Sequence, residues 1–273
     1  MSIPFRKENA IVLMGDGINC ENETAHALSL ADFEVDTLHV SNLLARPDRL
    51  GTASLLVFPG GFSFGDEIES GKVLALKLME RVRSELLDFV DSGRLVLGIC
   101  NGFQALVQMG LLPETTPDGK NSVSLLKNRS GCFINRWIDL TVSGDNSSGY
   151  LEGMQNLSLP IRHGEGRLAV NEKNKSAMEQ TEQNAILKYT EDVNGSHDKI
   201  AALSNKAGNV LGMMPHPEAF IRWSHHPGWT TMKLENPGLV ALDFEKDRNV
   251  DDPEKVPHGL RILQNARKMT ESL

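Results

Sequence analysis

The segment RLVLGICNGFQALVQMGLL (Arg94–Leu112) does most to limit what this chain can fold into. RLVLGI is a short leucine- and valine-rich run of the kind buried in a sheet, and FQALVQMGLL takes up helical spacing at once. Only Cys100 and its neighbours separate the two, and glycines stand two positions to either side, Gly98 and Gly102. A turn that tight strains the central residue, admits no side chains beside it and lifts its reactive atom above the sheet edge. The pattern is that of a nucleophile elbow, and the helix N-terminus favours a thiolate there. The plain alternative is a small buried thiol, common in cores.

An elbow belongs in a parallel sheet, and the rest of the first half supplies one. AIVLM (Ala10–Met14), VDTLHV (Val35–Val40) and SLLVF (Ser54–Phe58) read as strands that precede RLVLGI (Arg94–Ile99). Between the third and fourth, Val73, Leu76, Met79, Val82, Leu86, Phe89 and Val90 predict one amphipathic helix, closed by Gly93. Alternation from Ser122 to Val142, broken by KNRSG, and two strands in KIAALSNKAGNVLGMMP predict an antiparallel extension in the second half. Glu172–Asn184 suits an exposed loop or surface helix, and Gly259–Thr270 a closing helix through Leu260, Leu263 and Ala266. The expectation is an α/β fold, one domain over 1–273, with 219–273 as an extension packed on it.

Charge narrows the partners. With 28 basic against 36 acidic residues the formal charge is −8, which repels nucleic acid and anionic lipid. MSIPFRKENA carries charges before any apolar run, and no stretch approaches the roughly 18 apolar residues that span a bilayer, so a cytoplasmic protein is expected. Three cysteines, Cys20, Cys100 and Cys132, are too few and scattered for a disulfide framework or a closed zinc site, so no metal is expected. Cys20 and Cys132 lack a glycine bracket and read as structural or loop residues.

A thiol attacking a carboxamide needs a base that returns the proton to leaving ammonia, and histidine does this near neutral pH. Among eight histidines, His216 is singled out by MMPHPEAF. Flanking prolines exclude helix and favour extended backbone, from which Glu218 can orient the ring. Cys100, His216 and Glu218 then form a nucleophile–base–acid triad, although His-Pro-Glu alone also suits a rigid turn. FPGGFSFGDEIESG follows the third strand, and Gly60 and Gly61 there offer one backbone donor to an oxyanion. The Asn101 amide offers the other. An ordinary glycine turn is the alternative, and a phosphate cradle lacks its lysine–serine/threonine ending. IRHGEGR (Ile161–Arg167) gathers a histidine, a carboxylate and an arginine whose chemistry spacing does not reveal.

Together PGGFSFGD, GICNGFQ, HGEGR and GNVLGMMPHPE resemble the glutaminase subunits of phosphoribosylformylglycinamidine synthases, a branch of the triad-type glutamine amidotransferases. The similarity runs from about Ala10 to Glu218. It implies a flavodoxin-like sheet and hydrolysis of glutamine to glutamate and ammonia through a thioester on Cys100. Gly60, Gly61, Asn101 and Gln104 are then expected near glutamine, with His163 and Gly164 lining the same pocket. It further implies a large synthetase partner that uses ATP and magnesium on formylglycinamide ribonucleotide in de novo purine biosynthesis, joined in some bacteria by a small third subunit. No cofactor is implied on this chain. The sequence departs from the family where a basic residue is expected and Ala219 stands, and in continuing to Leu273. Two rival classes stay open: another hydrolase or protein-repair enzyme sharing the elbow, and a non-catalytic assembly subunit.

Overall fold

In the computed structural model the described residues are 5–113, 122–143, 148–171, 174–238 and 255–273. The first half alternates β1 (Asn9–Met14), α1 (Glu21–Ser29), β2 (Glu34–His39), α2 (Val40–Ala45), β3 (Leu55–Phe58), α3 (Lys72–Arg81), α4 (Arg83–Asp91), β4 (Leu95–Ile99) and α5 (Asn101–Gln108). The second half adds β5 (Val123–Lys127), β6 (Ile134–Val142), β7 (Asn156–His163), β8 (Glu165–Val170), α6 (Lys175–Gln183), β9 (Ala185–Tyr189), β10 (Ile200–Ser204), β11 (Val210–Met213), α7 (Trp229–Glu235) and α8 (His258–Met269).

A nine-stranded sheet runs β2-β1-β3-β4-β11-β10-β9-β6-β7, and β5 pairs with β8 in a small sheet of its own. From β2 to β11 every pairing is parallel, and from β11 to β7 every pairing is antiparallel. The expected α/β fold with an antiparallel extension is therefore present. Strands β3, β4, β10 and β11 are buried along their whole length, which explains their unbroken apolar runs. Edge strand β2 reads polar because water covers it. Helices pack in groups, α1 against α8 and α3 against α5. No helix among the described residues is long and apolar enough to cross a membrane.

The single helix expected before β4 is two. Val82 leaves helical geometry (φ −132°, ψ 22°), and the break separates α3 from α4. The two halves consequently bury faces of different phase. Val82, Leu86, Phe89 and Val90 face the core as expected, but upstream it is Leu74, Ala75 and Leu78 that are buried, while Leu76 is 55% exposed. A continuous 3.6-residue period cannot follow such a rotation. The polar stretch 172–184 resolves into α6, with 172–173 outside the described residues.

The closing helix begins at His258 and buries Leu260, Ile262, Leu263 and Ala266. Its N-terminal turn lies on the turn after His216: Leu260 N–H donates to Phe220 O at 3.2 Å, and a Cβ on Gly259 would stand 1.9 Å from Pro217 O. Residues 239–254 of the expected extension lie outside the described residues.

Candidate active site

Four adjacent parallel strands, β1, β3, β4 and β11, deliver their carboxyl ends to one edge, where open α/β sheets hold ligands. Cys100 leaves β4 with φ 50° and ψ −104°, a positive φ that a non-glycine residue adopts only when its surroundings enforce it. Two features do so. Cys100 N–H donates to Met213 O at 2.8 Å, and α5 starts one residue later. The glycine bracket has a steric reason: a Cβ on Gly102 would meet Phe58 O at 1.9 Å, and one on Gly98 would meet Gly102 backbone at 2.8 Å. Cys100 is 6% exposed and opens on a cavity of about 130 Å³.

In the neighbouring strand, Met213 lies beside Ile99, so the chain after β11 runs alongside the elbow. His216 is extended (φ −103°, ψ 94°) and its N–H is held by Pro160 O at 2.9 Å. Pro217 then starts a short 3-10 turn, Pro217–Ala219, that brings Glu218 back to the ring, with Nδ1 and Oε1 2.5 Å apart. Both residues are 2% exposed. Burial alone would depress the imidazole's proton affinity. The Glu218 charge, aided by the Cys100 and Cys20 thiols, outweighs it and raises the pKa well above its usual value. Nε2 forms no hydrogen bond among the described residues. The ring is thus anchored on one nitrogen and open on the other, and its raised proton affinity suits a group that holds a proton and gives it to a leaving nitrogen.

Cys20 departs from the structural or loop reading by its neighbours. It is 8% exposed, and its sulfur lies within 4.8 Å of donor atoms of His216 and Glu218. This thiol, imidazole and carboxylate are the compact donor cluster of the described residues, of a kind zinc accepts. The nitrogen and oxygen are, however, already turned on each other in the His216–Glu218 bond. Burial pushes the Cys20 thiol up, and Cys20 is not part of the cavity wall that Cys100 helps to form. Cys132 is exposed and away from this cluster.

The glycine loop after β3 crosses in front of the elbow. Gly60 O accepts from Asn19 and Cys20 N–H, and Gly60 faces the His216 ring. Gly61 lines the cavity, and neither its amide nor that of Asn101 has a backbone acceptor among the described residues. The Asn101 side chain ties loop to helix, accepting from Ser63 N–H at 3.0 Å and donating to Asp66 Oδ1 at 2.8 Å. Gln104 lines the cavity and donates to Glu165 O at 2.7 Å.

HGEGR sits where the chain leaves the large sheet in β7 and enters the small one in β8. That switch puts Arg162, His163, Gly164 and Glu165 on the cavity wall. Asn128 donates to Cys132 O and His163 O, so its Oδ1 is the acceptor for His163 Nδ1–H at 2.9 Å. His163 Nε2 is then an acceptor, buried without a partner among the described residues. Burial, with the nearby His216 charge, lowers the His163 pKa to about 4, so this ring is neutral. The candidate residues Cys100, Gly61, Gln104, His163 and Gly164 all line one cavity. Asp66, Ser70, Phe133 and Arg162 line it as well and were not singled out from the sequence. Glycines and charges in FSFGD and IRHGEGR were the signal, but which face each side chain takes depends on pairings between distant strands.

A family model described as a CobB/CobQ-like glutamine amidotransferase domain matches residues 7–268. Phosphoribosylformylglycinamidine synthase subunit PurQ of Dehalococcoides mccartyi is 37% identical over 238 residues, spanning 85% of this chain and 93% of that protein. The subunit of the same name from Thermotoga maritima is 36% identical, over 79% of this chain and 89% of its own. Among solved structures, a chain of PurLQS from Thermotoga maritima superposes with a TM-score of 0.67 at 33% identity, covering 84% of this chain and 97% of that one.

Proposed function

The chain belongs to the CobB/CobQ-like glutamine amidotransferase family, and on that footing we propose that Cys100, His216 and Glu218 are the triad through which it takes ammonia from glutamine. It is the glutaminase subunit of a phosphoribosylformylglycinamidine synthase of purine biosynthesis, acting with a synthetase partner. The observation that carries the residue assignment is the meeting of the Cys100 elbow with the His216–Glu218 pair at the ends of adjacent parallel strands.

Cys100 Sγ attacks the γ-carboxamide carbon, and the Gly61 and Asn101 amides receive the oxygen as it becomes an oxyanion. Each such donor is worth about a hundred- to a thousandfold in rate. His216 gives its proton to the departing nitrogen, which leaves as ammonia with a glutamyl thioester on Cys100. Neutral His216 then takes a proton from water, which attacks the thioester and releases glutamate. Glu218 keeps Nε2 pointed at the reacting atoms and stabilises the charged ring. ATP and magnesium act on the partner, where formylglycinamide ribonucleotide is activated, and a cytoplasmic location follows from that pathway.

Ammonia released into neutral water is mostly protonated and cannot attack, so hydrolysis pays only when coupled to the partner. The isolated chain is therefore expected to hydrolyse glutamine at least about tenfold more slowly than the complex, a difference of roughly 1.4 kcal/mol in barrier. Steady-state glutaminase assays with and without the synthetase check this. Full activity of the chain alone would contradict it.

A further inference from the structure

The acid of the triad rests on a support that is weak by itself. Glu218 lies in a three-residue turn, Pro217–Ala219, closed by a 3.3 Å bond from Ala219 N–H to His216 O and a 3.1 Å bond from Phe220 N–H to Pro217 O. So short a 3-10 turn makes few hydrogen bonds for the backbone it fixes. It carries a carboxylate that is 2% exposed and whose Oε2 has no hydrogen-bond partner among the described residues. A carboxylate taken out of water is drawn back toward it, so contacts from outside the turn are needed to keep Glu218 on the ring.

The first turn of α8 meets both ends of it. A Cβ on Gly259 would stand 1.9 Å from Pro217 O and 2.6 Å from Phe220 O, so the bare helix backbone lies against carbonyls before and after Glu218. Leu260 N–H donates to Phe220 O at 3.2 Å. On the other side, His258 Nδ1 accepts from Ser158 N–H at 3.0 Å, two residues before the Pro160 carbonyl that holds His216 N–H. Strand β7, the turn and α8 therefore form a closed bracket about the His216–Glu218 pair. The helix is itself well anchored: it buries Leu260, Ile262, Leu263 and Ala266, and Trp223 Nε1 donates to Lys255 O at 2.7 Å just ahead of it. Resting on the triad reading, we propose that His258, Gly259 and Leu260 are positioning residues that hold the Pro217–Ala219 turn so that Glu218 stays on His216 Nδ1. The chain beyond Glu218 thereby serves the triad, although none of the three residues lines the cavity at Cys100.

The test uses the assembled complex. Gly259→Ala drives a methyl into the two carbonyls, and kcat with glutamine is expected to fall at least about tenfold, with ammonia-dependent amidation unchanged. Residual activity should peak at a lower pH, because an imidazole that loses the Glu218 charge keeps its proton only there. His258→Ala removes the bond to Ser158 without a clash and should lower kcat about fivefold, as for one hydrogen bond. His258→Asn, whose side-chain oxygen can accept from the same N–H, should restore most of that. The readout that separates positioning from general damage is the double variant: added to Glu218→Gln, Gly259→Ala should cost less than about twofold, because the charge it displaces is already gone. A full tenfold further loss in the double variant, no rescue in His258→Asn, or wild-type kcat and pH profile in Gly259→Ala would each overturn the proposal. Should Gly259→Ala not assemble, wild-type kcat in His258→Ala would do the same. If Glu218→Gln itself kept the wild-type rate and profile, the triad reading would fail, which is a separable result.

Discussion

Cys100→Ala is expected to abolish glutamine-dependent amidation by the assembled synthase while ammonia-dependent amidation continues at the wild-type rate. The two activities part because they use different chemistry on different chains. Glutamine needs a sulfur at the elbow, and Cys100 is the cysteine that lines the cavity. Supplied ammonia bypasses that step and needs only the partner. Losing the nucleophile of a triad costs on the order of a millionfold, so the glutamine-dependent rate should fall to the assay's background. The substitution removes one sulfur from a site already shaped by Gly98 and Gly102, so assembly should survive. Product formation with each nitrogen donor checks this, and glutamine use retained by the variant would falsify the assignment of the nucleophile.

Glu218→Gln is the second large effect. In the wild type the buried His216 ring keeps its proton because the Glu218 charge outweighs the desolvation that opposes it. An amide of the same shape removes the charge and leaves the burial. The imidazole pKa then drops, so at neutral pH the ring has no proton for departing ammonia. Substituting the acid of a comparable triad costs about ten-thousandfold, and a loss of at least a hundredfold in kcat is expected here. The sign of the pH effect is fixed: the ring holds its proton only at lower pH in the variant, so residual activity should peak at a lower pH than in the wild type. Profiles of kcat/KM against pH for both proteins decide it. A variant with wild-type rate and an unmoved profile would show that Glu218 does not act on His216.

Much of this architecture is written locally. The glycines around Cys100 report a contact, Gly102 against Phe58, that any residue with a Cβ would destroy. The prolines around His216 fix a backbone whose geometry could be anticipated from MMPHPEAF, and the buried strands announce themselves because both faces are covered. What stayed hidden depends on distant parts of the chain. Val82 breaks a run of good helix formers, so the α3 face was misphased with no local warning. Strand β7 contains Pro160 and the polar Arg162 and His163, and is tolerated as a strand because it lies at the sheet edge. Cys20 reaches His216 only because the loop after β1 is hydrogen-bonded to Gly60 after β3. Arg162, Asp66 and Glu165 likewise come to one cavity wall only once β7, β8 and the glycine loop are in place.

Two thiols therefore stand near one imidazole, and of the two Cys100 lines the cavity while Cys20 does not. Treating the complex with a glutamine analogue that carries a diazoketone at the γ-carbon, then mapping the adduct by peptide mass spectrometry, asks which one attacks. Stoichiometric modification of the peptide containing Cys100, with Cys20 left unmodified, is the predicted result. Label on Cys20 instead would mean that the elbow is a scaffold and the reacting sulfur belongs to the loop after β1.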